Sequence, residues 1–86
     1  MSEYQLALLC FAVWKDRMHA VGTRTATKAM RKAMKKLVSL GLCVQTMDWF
    51  QGKKIPFWEP SHKGKDLVSN LPDCGIGPLR RAGWMK

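Results

Sequence analysis

Residues 25–42 have the sequence TATKAMRKAMKKLVSLGL, and this stretch decides the fold. Its apolar residues recur at steps of three and four, which is the period of one face of an α-helix. They are Ala26, Ala29, Met30, Ala33, Met34, Leu37 and Leu40. Gly41 stands where a C-terminal cap is expected, and Thr23 or Thr25 is suited to cap the start. The pattern predicts an amphipathic helix over about residues 23–40.

The opposite face of this predicted helix is basic. Its cations repeat at the same steps and are Arg24, Lys28, Arg31, Lys32 and Lys35. Between Lys15 and Lys36 there are eight basic residues and one acid, so this segment holds most of the chain's net charge of +9. A localised positive field attracts polyanions, chiefly nucleic acid. The alternative is a solvated surface, but such a helix normally contains Glu–Lys pairs at four-residue steps, and this one has none.

The composition fits one small domain and excludes several classes. With 86 residues there is room for a single core, to which the aromatic residues contribute large apolar areas. Cys10 and Cys43 lie in apolar runs and are predicted core residues, and three unpaired cysteines favour a reducing cytoplasm. No cluster has metal-ligand spacing, and no catalytic constellation supports an enzyme or a cofactor. The apolar run Tyr4–Trp14 is too short to span a membrane.

Further elements follow from local signals. A capping box between Ser2 and Gln5 predicts a first helix over about residues 3–16, central in the core. A short helical turn is expected at 18–21. Alternating residues then predict a hairpin of strands 42–50 and 53–58 around a turn at Gln51-Gly52. Pro56 cannot donate a ladder hydrogen bond, so the second strand is expected at a sheet edge or distorted there.

The C-terminal part is predicted as a short helix followed by a tail. Pro60 and Ser61 are typical of a helix start, and Pro72 ends the helix, which gives about residues 61–71. Residues 72–86 contain several glycines and Arg80-Arg81, a composition that fits a poorly ordered arm or a segment ordered by a partner. The domain is therefore expected over 1–71, with 72–86 as a basic tail.

The hairpin has two features with alternative interpretations. Lys53 and Lys54 near its tip fit a wing that touches DNA, and they equally fit an edge protected from aggregation. The aromatic residues of the two strands cannot all point inward, so one or two of them are expected to be exposed to a partner. These four are Trp49, Phe50, Phe57 and Trp58.

Two segments resemble the winged helix-turn-helix family of transcriptional regulators. Residues 25–42 are similar to its recognition helix leading into the first wing strand, and 57–67 (FWEPSHKGKDL) to its second wing strand entering a Ser-x-x-Gly helix start. Together they cover about residues 23–71. The resemblance implies a basic helix in the major groove and a hairpin tip against a neighbouring phosphate or minor groove. The chain departs from the family at Arg17–Gly22, which is too short for the usual second helix.

The resemblance implies a double-stranded DNA-binding protein, most simply a transcriptional regulator, that acts as a monomer or a homodimer. Arg24 or Arg31 is expected to recognise guanine, because only arginine offers a bidentate fork. The expected DNA-binding residues are Thr23, Arg24, Thr25, Thr27, Lys28, Arg31, Lys32, Lys35, Lys53 and Lys54. The alternative is a protein-binding module of the kind found in phages and mobile elements, such as an anti-CRISPR-like inhibitor of a host protein. Binding of structured RNA is a third reading.

Overall fold

Helices pack on one side of a three-stranded antiparallel sheet. The structure is a computed structural model that describes residues 1–19 and 28–84. In chain order its elements are α1 (Glu3–Lys15), β1 (Met18–His19), α2 (Lys28–Ser39), β2 (Cys43–Phe50), β3 (Lys53–Pro60), α3 (His62–Ser69), a 3-10 turn (Pro72–Gly75) and α4 (Ile76–Arg81). The chain is therefore a small α+β protein, as the sequence predicts.

The central helix is α1, which packs against α2, α3, α4 and β3. The predicted capping box is present: the Ser2 N–H donates to Gln5 Oε1 at 3.0 Å, and the Gln5 N–H donates to Ser2 Oγ at 3.1 Å. Leu9 and Cys10 are fully buried on α1, and they meet Met34 and Leu37 of α2 in one core cluster. The expectation of a core helix is confirmed.

The hairpin of β2 and β3 forms around the predicted turn. Gln51 and Gly52 have φ values of 50° and 79°, and two positive values are typical of a two-residue hairpin turn. The strands pair in regular register from Phe50 opposite Lys53 to Cys43 opposite Pro60. This register fixes which side chains share a face of the sheet.

The sheet also corrects two sequence-based expectations. Met18 and His19 form a strand rather than a helical turn, and they pair with Trp58 and Phe57 of β3. The strand order is β1-β3-β2, so β3 is the central strand and the expectation that Pro56 marks an edge strand is wrong. Pro56 is tolerated because the described part of β1 pairs only with the two residues that follow it.

The end of α2 is joined tightly to β2. The Gly41 N–H donates to the Val38 carbonyl and the Leu42 N–H to the Leu37 carbonyl, at 3.0 and 2.9 Å. With Gly41 at φ 74°, this is the Schellman pattern, so the predicted cap is confirmed. Residues 20–27, which include the predicted start of this helix, lie outside the described residues.

The start of α3 lies against the same junction. Ser61 caps the helix by accepting the Gly64 N–H at 3.1 Å, and the Ser61 N–H donates to the Leu42 carbonyl at 3.0 Å. A Cβ on Gly64 would stand 2.1 Å from the Leu42 oxygen. The Ser-x-x-Gly sequence is therefore explained locally: serine supplies the cap, and glycine permits the close approach of helix and strand.

Residues 72–84 do not form the loose arm that their composition predicts. They form the 3-10 turn and α4, and Leu79 is 3% exposed in the same core as α1. The ring of Trp84 lies edge-on to Phe11 and Tyr4, with centroids 5.7 and 6.2 Å apart. An ion pair between Arg81 and Glu3 adds to this contact. Apolar burial against α1 thus holds this segment in the core.

Candidate nucleic-acid interface

The two faces of α2 differ sharply in polarity. Met30, Ala33, Met34 and Leu37 are buried, and Met34 and Leu37 have no exposed surface. At about 100° per residue, the four exposed cations on the other side are centred nearly half a turn away. We call this set the basic face: it consists of Lys28, Arg31, Lys32 and Lys35. Lys36 is exposed beside it. The helix is held by its apolar side, and the basic face points to solvent.

Most of the chain's carboxylates are engaged elsewhere. Asp48 and Glu59 lie 2.7 and 3.4 Å from Arg17, Asp16 lies 3.9 Å from Lys65, and Glu3 pairs with Arg81. The sequence has six acidic residues in all, so these pairs account for four of them. Among residues 1–19 and 28–84, no ion pair joins a carboxylate to the basic face. Its charge is therefore not neutralised within the described part of the protein.

The structure brings some of the predicted DNA-binding residues onto α2 and places others on the hairpin. Lys53 and Lys54 are exposed at the start of β3, opposite Phe50 and Trp49. The remaining predicted residues, Thr23, Arg24, Thr25 and Thr27, lie outside the described residues. Their contribution at the start of the basic helix stays a prediction.

The aromatic side chains of the hairpin divide between core and solvent. Phe57 and Trp58 are buried, at 6% and 2% exposure, whereas Trp49 is 68% exposed and Phe50 is half-buried. The prediction that one or two of the four are exposed is confirmed. The Trp58 indole N–H donates to Gln45 Oε1 at 3.1 Å, so this buried ring has a polar partner.

Strand alternation places Trp49 in an exposed surface on the helix side of the sheet. Met47 and Trp49 share a face with Cys43, and their cross-strand partners Pro56 and Lys54 lie on that face too. Cys43 belongs to the core, whereas Met47, further along the strand, is 51% exposed. We call Met47, Trp49, Lys54 and Pro56 the hairpin patch.

Arg17, which directly precedes β1, contacts the face of the hairpin opposite the hairpin patch. Its guanidinium lies 3.9 Å from the centroid of the Phe57 ring and pairs with Asp48 on β2 and Glu59 on β3. The hydrogen bond from Arg17, and then the backbone N–H of Trp49, hold the pKa of Asp48 below its ordinary value of 3.8. This basic residue thus serves the fold, and no local pattern in the sequence predicts its three contacts.

Acidification is expected to remove the contribution of Asp48 to stability. Because its folded pKa is lowered, that contribution is complete above 3.8 and is lost as the pH falls through the folded pKa. The melting temperature of the protein should exceed that of Asp48→Asn at about pH 5, and the two should converge near pH 2. Thermal unfolding followed by circular dichroism measures the difference. A difference independent of pH would contradict this role.

The two cysteine thiols in the core, those of Cys10 and Cys43, are poor nucleophiles because burial disfavours the thiolate. Burial raises the pKa of Cys43 to about 11, and burial also raises the pKa of Cys10. Both are 3% exposed or less, which confirms them as core residues, and Cys74 is exposed. Within the described ranges, no group of three or more His, Cys, Asp or Glu residues is arranged to hold a metal ion.

The longest described helix, α1, has 13 residues. None of the helices in residues 1–19 and 28–84 combines the length and apolar character needed to cross a bilayer.

No protein-family model, curated protein or solved structure matches the chain. The candidate interface is therefore argued from the residues and contacts of this chain alone.

Proposed function

We propose that the chain binds double-stranded DNA through the basic face of α2, assisted by the lysines of the hairpin. The observation that carries this proposal is a row of exposed cations, backed by a buried apolar side and not neutralised by a described carboxylate. A major groove about 12 Å wide accepts one α-helix. Arg31 is the described residue best suited to recognise guanine, while Lys28, Lys32 and Lys35 contact phosphates.

The fold supports this proposal through its element order. The short strand β1 follows the first helix, the basic helix runs directly into a hairpin, and β3 lies between β1 and β2. This order is compatible with a winged-helix domain, in which the hairpin would be the wing. The proposed role is that of a transcriptional regulator, acting as a monomer or a homodimer.

Salt dependence provides the direct test. Five exposed lysines are the proposed phosphate contacts, and each adds about −0.9 to the slope of log K against log salt; they are Lys28, Lys32, Lys35, Lys53 and Lys54. Fluorescence anisotropy with a labelled duplex should therefore give a slope of about −4.5. Duplex RNA and single strands, measured in parallel, show which polyanion is preferred. Absence of binding to duplex DNA at low ionic strength would refute the proposal.

A second candidate is binding to an acidic surface of another protein. It is favoured by the exposure of Trp49 and Met47, because large apolar groups in solvent often mark protein contacts. The ordered segment 72–84 adds to the surface available. A pull-down from bacterial lysate with and without nuclease separates the candidates. A stoichiometric partner that survives nuclease would favour this second function.

A further inference from the structure

Trp49 differs from the other tryptophans in having no described contact for its ring. Trp58 is buried, Trp84 packs against Phe11, and Trp14 lies 4.4 Å from the Lys15 ammonium. Among residues 1–19 and 28–84, no aromatic ring or cation is stacked on Trp49, which is 68% exposed. The fold therefore does not require this ring, and a large apolar surface is left in water.

A cation lies beside Trp49. Lys54 is its direct cross-strand partner, with Cβ atoms about 5 Å apart in such a pair, whereas Lys53, which precedes Lys54 on β3, lies on the other face. Asp48 precedes Trp49, but its side chain lies on the opposite face and is paired with Arg17 at 2.7 Å. The hairpin patch thus offers one free aromatic face and an adjacent positive charge.

This combination fits a nucleotide whose base is not enclosed in a stack. Nucleobases stack on aromatic side chains, while neighbouring lysines bind the phosphates on either side. An intact duplex does not present such a base, because each base is covered on both faces by its neighbours. An acidic peptide would need an aromatic side chain beside its carboxylate to make the same two contacts, whereas every nucleotide has both a flat ring and a phosphate.

We propose that Trp49 stacks on an unpaired base, so that the preferred DNA is a duplex held by α2 with a single strand leaving it beside the hairpin. On such DNA, Lys54 beside the ring binds a phosphate where the strand leaves the duplex. This inference rests on the proposed function, since it assigns to the same protein a particular class of DNA: overhangs, frayed ends or junctions.

The test compares a blunt duplex with the same duplex bearing a short oligothymidine overhang. The protein should bind the overhang DNA roughly tenfold more tightly, because the stacking of one base contributes enough binding free energy for that factor. An overhang of abasic nucleotides should lose most of this gain, because it retains phosphates without bases. Trp49→Ala should remove the preference and leave blunt-duplex affinity unchanged, and Trp49→Phe should restore part of it.

Trp14→Ala is the matched control, because Trp14 is 50% exposed but lies on α1. It should leave the overhang preference intact, and melting curves should show all three variants folded. The inference is overturned if the overhang gives no gain, if the gain survives Trp49→Ala, or if Trp49→Ala weakens blunt-duplex binding, which would indicate insertion into the helix. Blunt-duplex binding without an overhang gain refutes this inference alone. Failure to bind blunt duplex refutes the proposed function.

Discussion

Lys28→Glu combined with Lys32→Glu is expected to weaken binding to duplex DNA by roughly a hundredfold or more at moderate salt. The two lysines are neighbours on the basic face, one helical turn apart. Each substitution removes a phosphate contact and adds a negative charge that repels the backbone. The salt slope should fall by about 2, since about one unit is lost per phosphate contact. Anisotropy titrations over a range of salt measure both quantities.

Lys65→Glu combined with Arg80→Glu is the matched control, with the same change in net charge. Both residues are exposed, and they lie on α3 and α4 rather than on α2. The control variant should retain most of the affinity. Its melting temperature should fall only slightly, because the ion pair that Lys65→Glu removes, with Asp16, is exposed, and the α2 variant should keep the melting temperature of the parent. Equal losses from the two variants would mean that net charge alone governs binding. Unchanged binding by the α2 variant would exclude the basic face.

Gly64→Ala is expected to destabilise the protein by about 1–3 kcal/mol, at the upper end of that range for an overpacked site. Alanine normally stabilises a helix relative to glycine. Here the added Cβ would stand 2.1 Å from the Leu42 carbonyl oxygen and 3.2 Å from Leu9 Cδ1, so α3 has to move away from the strand. The melting temperature should fall by about 12–24 °C, because 1 kcal/mol corresponds to about 4–8 °C in a domain of this size.

Gly77→Ala provides the comparison within the same protein. Gly77 lies in α4, and a Cβ there would meet only the end of the Arg81 side chain, at 3.3 Å. The contact is with the end of a long side chain, which has to shift by only a few tenths of an ångström, so the substitution should be neutral or slightly stabilising through helix propensity. If Gly64→Ala were as stable as Gly77→Ala, the close approach of α3 to Leu42 would not hold in solution.

The elements that the sequence predicts correctly are those encoded by neighbouring residues. The amphipathic period of α2, the capping box of α1 and the Gln51-Gly52 turn all act within a few positions of the chain. The strand β1 has two residues, too few for any period, and it exists because β3 pairs with it from about forty positions away. The C-terminal segment has a loop-like composition, but Leu79 and Trp84 find apolar partners on α1 that no local pattern reveals.

The candidate site shows the same division. The lysines and arginine of α2 follow from spacing alone, and they are exposed as predicted. Adjacent residues of a strand face opposite ways, so the sequence shows that Trp49 and Phe50 cannot both be buried on one side. Which of them faces solvent depends on His19, whose ring lies 4.5 Å from that of Phe50. That contact requires β1, which the sequence does not predict.

The junction at residues 40–42 fixes the relative orientation of the two proposed DNA contacts. Its carbonyls accept hydrogen bonds from α3 and its cap. The Leu40 carbonyl accepts from Lys63 Nζ at 3.2 Å, the Gly41 carbonyl accepts from the Ser61 hydroxyl, and the Leu42 carbonyl accepts from the Ser61 N–H. Since α2 ends and β2 begins at this point, neither element can rotate relative to α3 without breaking these bonds. The distance between the duplex contact and the stacking ring is thus a property of the free protein, and little ordering entropy remains to be lost on binding. A DNA partner has to match that fixed distance. Discrimination among overhang positions would therefore come from the spacing between the basic face and Trp49 rather than from recognition of bases.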